Sequence, residues 1–115
     1  MYRQRASIGI KAVDIAPGTC MLGKVGGDEI AIFNVDGQFY ATQNKCTHAG
    51  GPLCEGGLWG DIIQCPWHGS EFNVRTGEVI SGPARVPIKT YKVTVEGGLI
   101  SISETGSETC NVKRV

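Results

Sequence analysis

The chain of 115 residues has only two histidines, and each lies within three residues of a cysteine: Cys46-Thr47-His48 and Cys65-Pro66-Trp67-His68. Two thiolates and two imidazoles form a complete four-donor set for a metal centre. The spacer from Ala49 to Gln64 is long enough to loop out and return, so both pairs can close on one site. That requirement constrains the fold more than any other feature. Two turns must face each other, and the rest of the chain reads as scaffold for them.

The length suits one compact domain over 1–115. Eleven basic side chains balance eleven acidic ones, which argues against a nucleic-acid binder. No apolar run approaches the length of a membrane span. Residues Met1 to Arg5 are polar and basic, and no signal-peptide core follows them. The expectation is a soluble cytoplasmic protein, monomeric when free. Five cysteines are an odd number, so they cannot all pair within the chain. Cys20, Cys54 and Cys110 are expected to be reduced, unpaired thiols, as cytosolic cysteines usually are.

Frequent glycine, scattered proline and short apolar runs favour many short strands over helices. Strands are expected over Ser7–Val13, Thr19–Val25, Glu29–Val35 and Gln38–Thr42. Ala16-Pro17-Gly18 and Gly26-Gly27-Asp28 read as turns. Asp36-Gly37 is the strongest hairpin signal, because type I′ turns prefer that pair. Tyr40 is placed to pack across from Phe33. From Asn44 to Pro83 glycine, proline and the donors cluster, and only short strands fit: 58–59, 62–64, 71–73 and 78–80. This stretch, about 44–83, reads as a small β subdomain inserted into a larger β scaffold. Tyr91, Val93 and Val95 then alternate with Lys92 and Thr94 as in a half-buried strand. Glu96-Gly97-Gly98 turns the chain into a last strand, 99–103, and 105–115 reads as a mobile tail. The expected class is all-β, an antiparallel sandwich or barrel with no helix beyond a turn or two.

Two cysteines and two histidines are a common structural zinc set, but zinc sites usually pair like with like. Here each half-site is mixed. A cluster of two irons and two sulfides needs two protein donors per iron. Two cysteines on one iron and two histidines on the other meet that need, and mixed half-sites suit it.

Cys46-Thr47-His48 and Cys65-Pro66-Trp67-His68-Gly69 resemble the two ligand boxes of Rieske domains. The tract from His68 through Glu71-Phe72-Asn73-Val74-Arg75-Thr76-Gly77 to Gly82-Pro83 resembles the same family. The resemblance covers almost the whole chain and implies one [2Fe–2S] cluster. Cys46 and Cys65 would bind the inner iron, His48 and His68 the outer one, and Gly82-Pro83 would match a third covering loop. It also implies an antiparallel β sandwich with a smaller cluster-binding subdomain. Where some Rieske proteins carry a disulfide between the ligand loops, this chain has Gly51 and Trp67, which points to the ferredoxin-like subgroup.

Within that subgroup the resemblance implies a one-electron carrier, not an enzyme by itself. It would take electrons from a flavin-containing ferredoxin reductase and pass them to the terminal oxygenase of an aromatic-ring dioxygenase system. The alternative is a small subunit of a larger oxidoreductase such as a nitrite reductase. Ser70 is present where the high-potential subgroup has a serine, but Phe72 replaces its tyrosine. A potential in the lower half of the Rieske range, roughly −150 to +300 mV, is therefore expected. Trp67 is expected mainly as core packing, and Glu55, Asp61, Glu71 and Glu78 as a scattered acidic surface.

Overall fold

The computed structural model describes residues 6–104. They form ten antiparallel strands in two sheets, with two single 3-10 turns and no longer helix among them. The large sheet begins with β1 (Ala6–Lys11), β2 (Cys20–Val25), β3 (Asp28–Val35) and β4 (Gln38–Gln43). It ends with β9 (Thr90–Glu96) and β10 (Leu99–Glu104), in the spatial order β1-β10-β9-β4-β3-β2. The small sheet is a meander of β5 (Gly57–Trp59), β6 (Ile62–Gln64), β7 (Glu71–Asn73) and β8 (Val79–Ser81).

The small sheet is an insertion. β4 and β9 are hydrogen-bonded neighbours, with Ala41 opposite Tyr91 and Thr42 opposite Thr90. All of β5 to β8 lies on the chain between them.

Asp36 and Gly37 both take positive φ, 51° and 90°, as a type I′ turn requires. The turn sets β3 against β4 with Phe33 directly opposite Tyr40, as expected from the sequence. β1 is shorter than the expected Ser7–Val13. β10 starts at Leu99, opposite Lys11, so residues beyond Lys11 have no strand to pair with. Ala12 donates its N–H to Gly98 O instead, and the chain coils into the 3-10 turn Ala12–Asp14.

β3 explains how the two sheets share a core. Its run Ile30-Ala31-Ile32-Phe33 is fully buried, because alternate side chains enter different clusters. Ile30 and Ile32 join Ile15, Ala41, Tyr91, Ile100 and Ile102 inside the large sheet. Ala31 and Phe33 join Leu53, Ile63, Phe72, Val74 and Ile88, between the large sheet and the insertion. Cys46 and Cys65 belong to that second cluster.

The expectation of unpaired thiols is overturned for two of the three cysteines. Cys20, at the start of β2, is disulfide-bonded to Cys54, in the 3-10 turn Leu53–Glu55, with Cα atoms 5.5 Å apart. The two are far apart in sequence, and only the docking of that turn on β2 and β3 brings them together. Over a separation of 34 residues such a bond limits the unfolded chain by about 4 kcal/mol in the loop-entropy model. Cys110 and the expected tail 105–115 lie outside the described residues.

Candidate metal centre

All four sequence-expected donors lie on two loops of the insertion. The first follows β4 and carries Cys46 and His48; the second links β6 to β7 and carries Cys65 and His68. The loops are built alike. Cys46 N–H donates to Gly51 O at 2.9 Å, and Cys65 N–H donates to Ser70 O at 2.8 Å. In each, the cysteine sulfur accepts an N–H from two residues on, His48 in the first and Trp67 in the second, both at 3.4 Å. A closed turn thus aims each sulfur inward while its histidine extends outward.

The halves meet as the spacing suggested. Cys46 and Cys65 are 3% and 1% exposed and lie in one buried cluster. Both sulfurs are free of disulfide bonds. His48 and His68 are exposed, their ring centroids 5.2 Å apart and their planes almost perpendicular. Burial raises the Cys65 thiol above its ordinary range; the N–H of Trp67 opposes this, and Cys46 adds to it. His68 has a positive φ of 72°, rare for a side chain that large and a mark of a turn held by its surroundings.

Two further contacts brace the loops. Thr47 Oγ1 donates to Val86 O at 2.5 Å, and Ala84 N–H donates to the buried Ser70 Oγ at 3.0 Å. Both tie a donor loop to the stretch after Gly82-Pro83. Gly82 has φ +96°, and a Cβ there would stand 2.6 Å from Ser70 Cα, so only glycine lets this third loop close in. At Gly51 a Cβ would meet Cys65 Sγ at 2.7 Å and Trp67 Cγ at 2.9 Å. The first loop can therefore approach the second only because Gly51 has no side chain.

Trp67 is not a core residue: it is 50% exposed, with one face over Gly51. Pro66 turns the chain outward between a buried Cys65 and an exposed His68, which carries the ring to the surface. The acidic side chains do not form one rim. Asp61 lies 3.9 Å from Arg75, Glu71 accepts from Ser81 Oγ, and Glu78 accepts from Thr76 Oγ1.

The donor chemistry can be tested against metals. Among the described residues, no three His, Cys, Asp or Glu side chains converge as ligands of one ion would. A single tetrahedral zinc needs all four donors on one point. A buried sulfur pair and a separate exposed nitrogen pair match a two-iron cluster with unlike ends.

The family model for the Rieske [2Fe-2S] domain matches residues 8–92. This chain belongs to that family. A Rieske domain carries one [2Fe–2S] cluster, and the donor set above fits it. The Rieske chain is 43% identical over 93 residues to "Ferredoxin CarAc" of Metapseudomonas resinovorans, covering 80% of this chain and 87% of that one. It is 45% identical over 85 residues to the "Biphenyl dioxygenase ferredoxin subunit" of Pseudomonas sp. (strain KKS102), covering 73% and 78%. A solved complex of reduced oxygenase and oxidized ferredoxin in carbazole 1,9a-dioxygenase contains a chain that superposes with a TM-score of 0.80. That chain is 40% identical, and the match covers 86% of this chain and 92% of it. No helix among the described residues is long and apolar enough to cross a membrane.

Proposed function

We propose that this Rieske protein is a one-electron carrier in an aromatic-ring dioxygenase system. It takes electrons from a flavoprotein ferredoxin reductase and delivers them to a terminal oxygenase. It works in the cytoplasm as a free monomer and catalyses no substrate reaction by itself. The observation that carries this reading is the split donor set: two buried, facing cysteines and two exposed histidines side by side. In this reading Cys46 and Cys65 bind the inner iron, and His48 and His68 the outer one. Relatives at 43–45% identity bearing ferredoxin names favour a carrier over a fixed subunit of a larger oxidoreductase.

The cluster, when bound, supplies a site that gains and loses one electron reversibly. The protein supplies the rest. The apolar cluster around Phe33, Leu53, Ile63 and Phe72 keeps water from the sulfur end. The N–H groups of His48 and Trp67 point at the cysteine sulfurs, and such donors stabilise added negative charge. The two exposed imidazoles give a short way out to a docked acceptor. Trp67 on the second donor loop and Val86 on the bracing stretch, 50% and 57% exposed, add apolar contact there.

Electron paramagnetic resonance of the reduced protein, with iron and sulfide analysis, tests the assignment. The expected result is a Rieske signal with two irons and two sulfides per chain, lost in Cys46→Ser, Cys65→Ser, His48→Ala and His68→Ala. A colourless protein holding one zinc per chain would overturn it. Mixing reduced protein with a purified terminal oxygenase tests the transfer.

A further inference from the structure

The Cys20–Cys54 bond has no place in the carrier reading. Neither residue is a donor, and the bond lies between the large sheet and the first donor loop. Cys20 stands in β2, opposite Phe33 of β3. Cys54 stands in the turn through which the first loop leaves the centre. Two hydrogen bonds hold the same turn: Leu53 N–H to Asn44 O at 2.7 Å and Cys54 N–H to Asn44 Oδ1 at 2.9 Å. Asn44 is buried just before Cys46, so it pins the loop's entry to its exit. Besides the chain's own exit from β4, the disulfide is a covalent tie between that closed loop and β2 of the large sheet.

The ring closed by the bond contains Cys46 and His48 but not Cys65 or His68. One donor loop is thus held by a cross-link, the other by the small sheet and the non-covalent brace of Ala84 on Ser70. Cys20 and Cys54 are both half-buried, unlike the nearly covered Cys46 and Cys65. An external thiol can reach the bonded pair more easily than the donor pair, and access governs exchange.

We propose that Cys20–Cys54 is a thiol–disulfide exchange site whose reaction partner is a dithiol, and that its state sets how firmly the first donor loop is held. A thiolate of the dithiol attacks one sulfur of the pair and forms a mixed disulfide as the other cysteine leaves as a thiolate. The second thiol of the partner then displaces the remaining cysteine. Two electrons and two protons pass to Cys20 and Cys54, which become thiols, and the partner leaves as a disulfide. A disulfide of the same class runs the reaction backwards. Opening the bond restores freedom to the loop's stem and leaves Asn44 as its hinge. Cluster retention therefore falls. The site stands apart from the carrier reading, because its own electron count is two.

The test uses the cluster-loaded full chain, equilibrated anaerobically in buffers of reduced and oxidised dithiothreitol. Alkylation and mass analysis give the state of Cys20 and Cys54, and an iron chelator gives the rate at which visible absorption is lost. The expected result is one reversible transition between bonded and free Cys20 and Cys54. Iron loss becomes several-fold faster on the reduced side. A Cys20→Ser/Cys54→Ser variant keeps the fast rate in both buffers, which separates loop loosening from direct stripping of iron by dithiothreitol. Metal-free wild-type protein supplies a second readout: protease cleavage within 44–56 is faster when the pair is reduced. The proposal is overturned if Cys20 and Cys54 stay unbonded in excess oxidised dithiothreitol. It is equally overturned if they cannot be reduced in the folded protein, or if reduction alters neither iron loss nor cleavage. Failure of electron delivery to an oxygenase would leave all these readouts unchanged.

Discussion

At the scale of the residue, the centre depends on atoms that are missing as much as on those present. Gly51→Ala places a methyl 2.7 Å from Sγ of the buried Cys65 and 2.9 Å from Trp67 Cγ, so the first loop must back away from the second. The expected cost is about 1–3 kcal/mol, seen as a lower melting temperature and poorer cluster loading. Ser70→Ala leaves the Ala84 N–H without its buried partner, at about 1–3 kcal/mol by denaturant unfolding. The raised Cys65 thiol gives a signed pH dependence. The folded metal-free protein holds that proton to higher pH than the unfolded chain does, so the fold binds more protons in the window above the ordinary thiol range. Stability should fall as pH rises through that window and fall less steeply in Cys65→Ser, as thermal melts would record. That Cys46, Cys65, His48 and His68 come together was legible in the sequence, because their residue types and spacing are chemically demanding. The brace of Ser70 on Ala84 and the outward Trp67 were not, because they depend on where a third loop folds back. Nor did spacing reveal the pairing of Cys20 with Cys54, since no local signal links residues joined only by packing.

At the scale of the element, β3 is the shared wall, and its two faces should separate experimentally. Ile32→Val trims the face inside the large sheet and should cost about 0.5–1.5 kcal/mol without altering the cluster signal. Phe33→Ala empties the face beneath Cys46 and Cys65. It should cost about 3–5 kcal/mol and also weaken cluster retention, read as faster bleaching with a chelator. The strand itself was legible, since an unbroken run of Ile, Ala and Phe between turn signals implies burial on both faces. The hairpin at Asp36-Gly37 was legible for its φ requirement. The end of β1 was not: it is set by where its partner β10 begins, which no pattern within residues 7–13 reveals. The 3-10 turn Leu53–Glu55 was hidden for the same reason, because its shape follows from Asn44 and the docking of Leu53.

At the scale of the whole molecule, zero net charge and an apolar rim around the histidines set how partners are met. Association should lose the part of its ionic-strength dependence that comes from net charge, since the chain carries none. Oxygenase reduction rates measured across a salt series should therefore change less than those of a strongly charged carrier. The insertion of the small sheet between β4 and β9 has a consequence for synthesis. A chain emerges from the ribosome with its N-terminus first. Residues 46 to 68, with all four candidate donors, are thus made before β9 and β10 exist to complete the large sheet. In the finished fold the two imidazoles stand at the surface and the two sulfurs lie buried behind them.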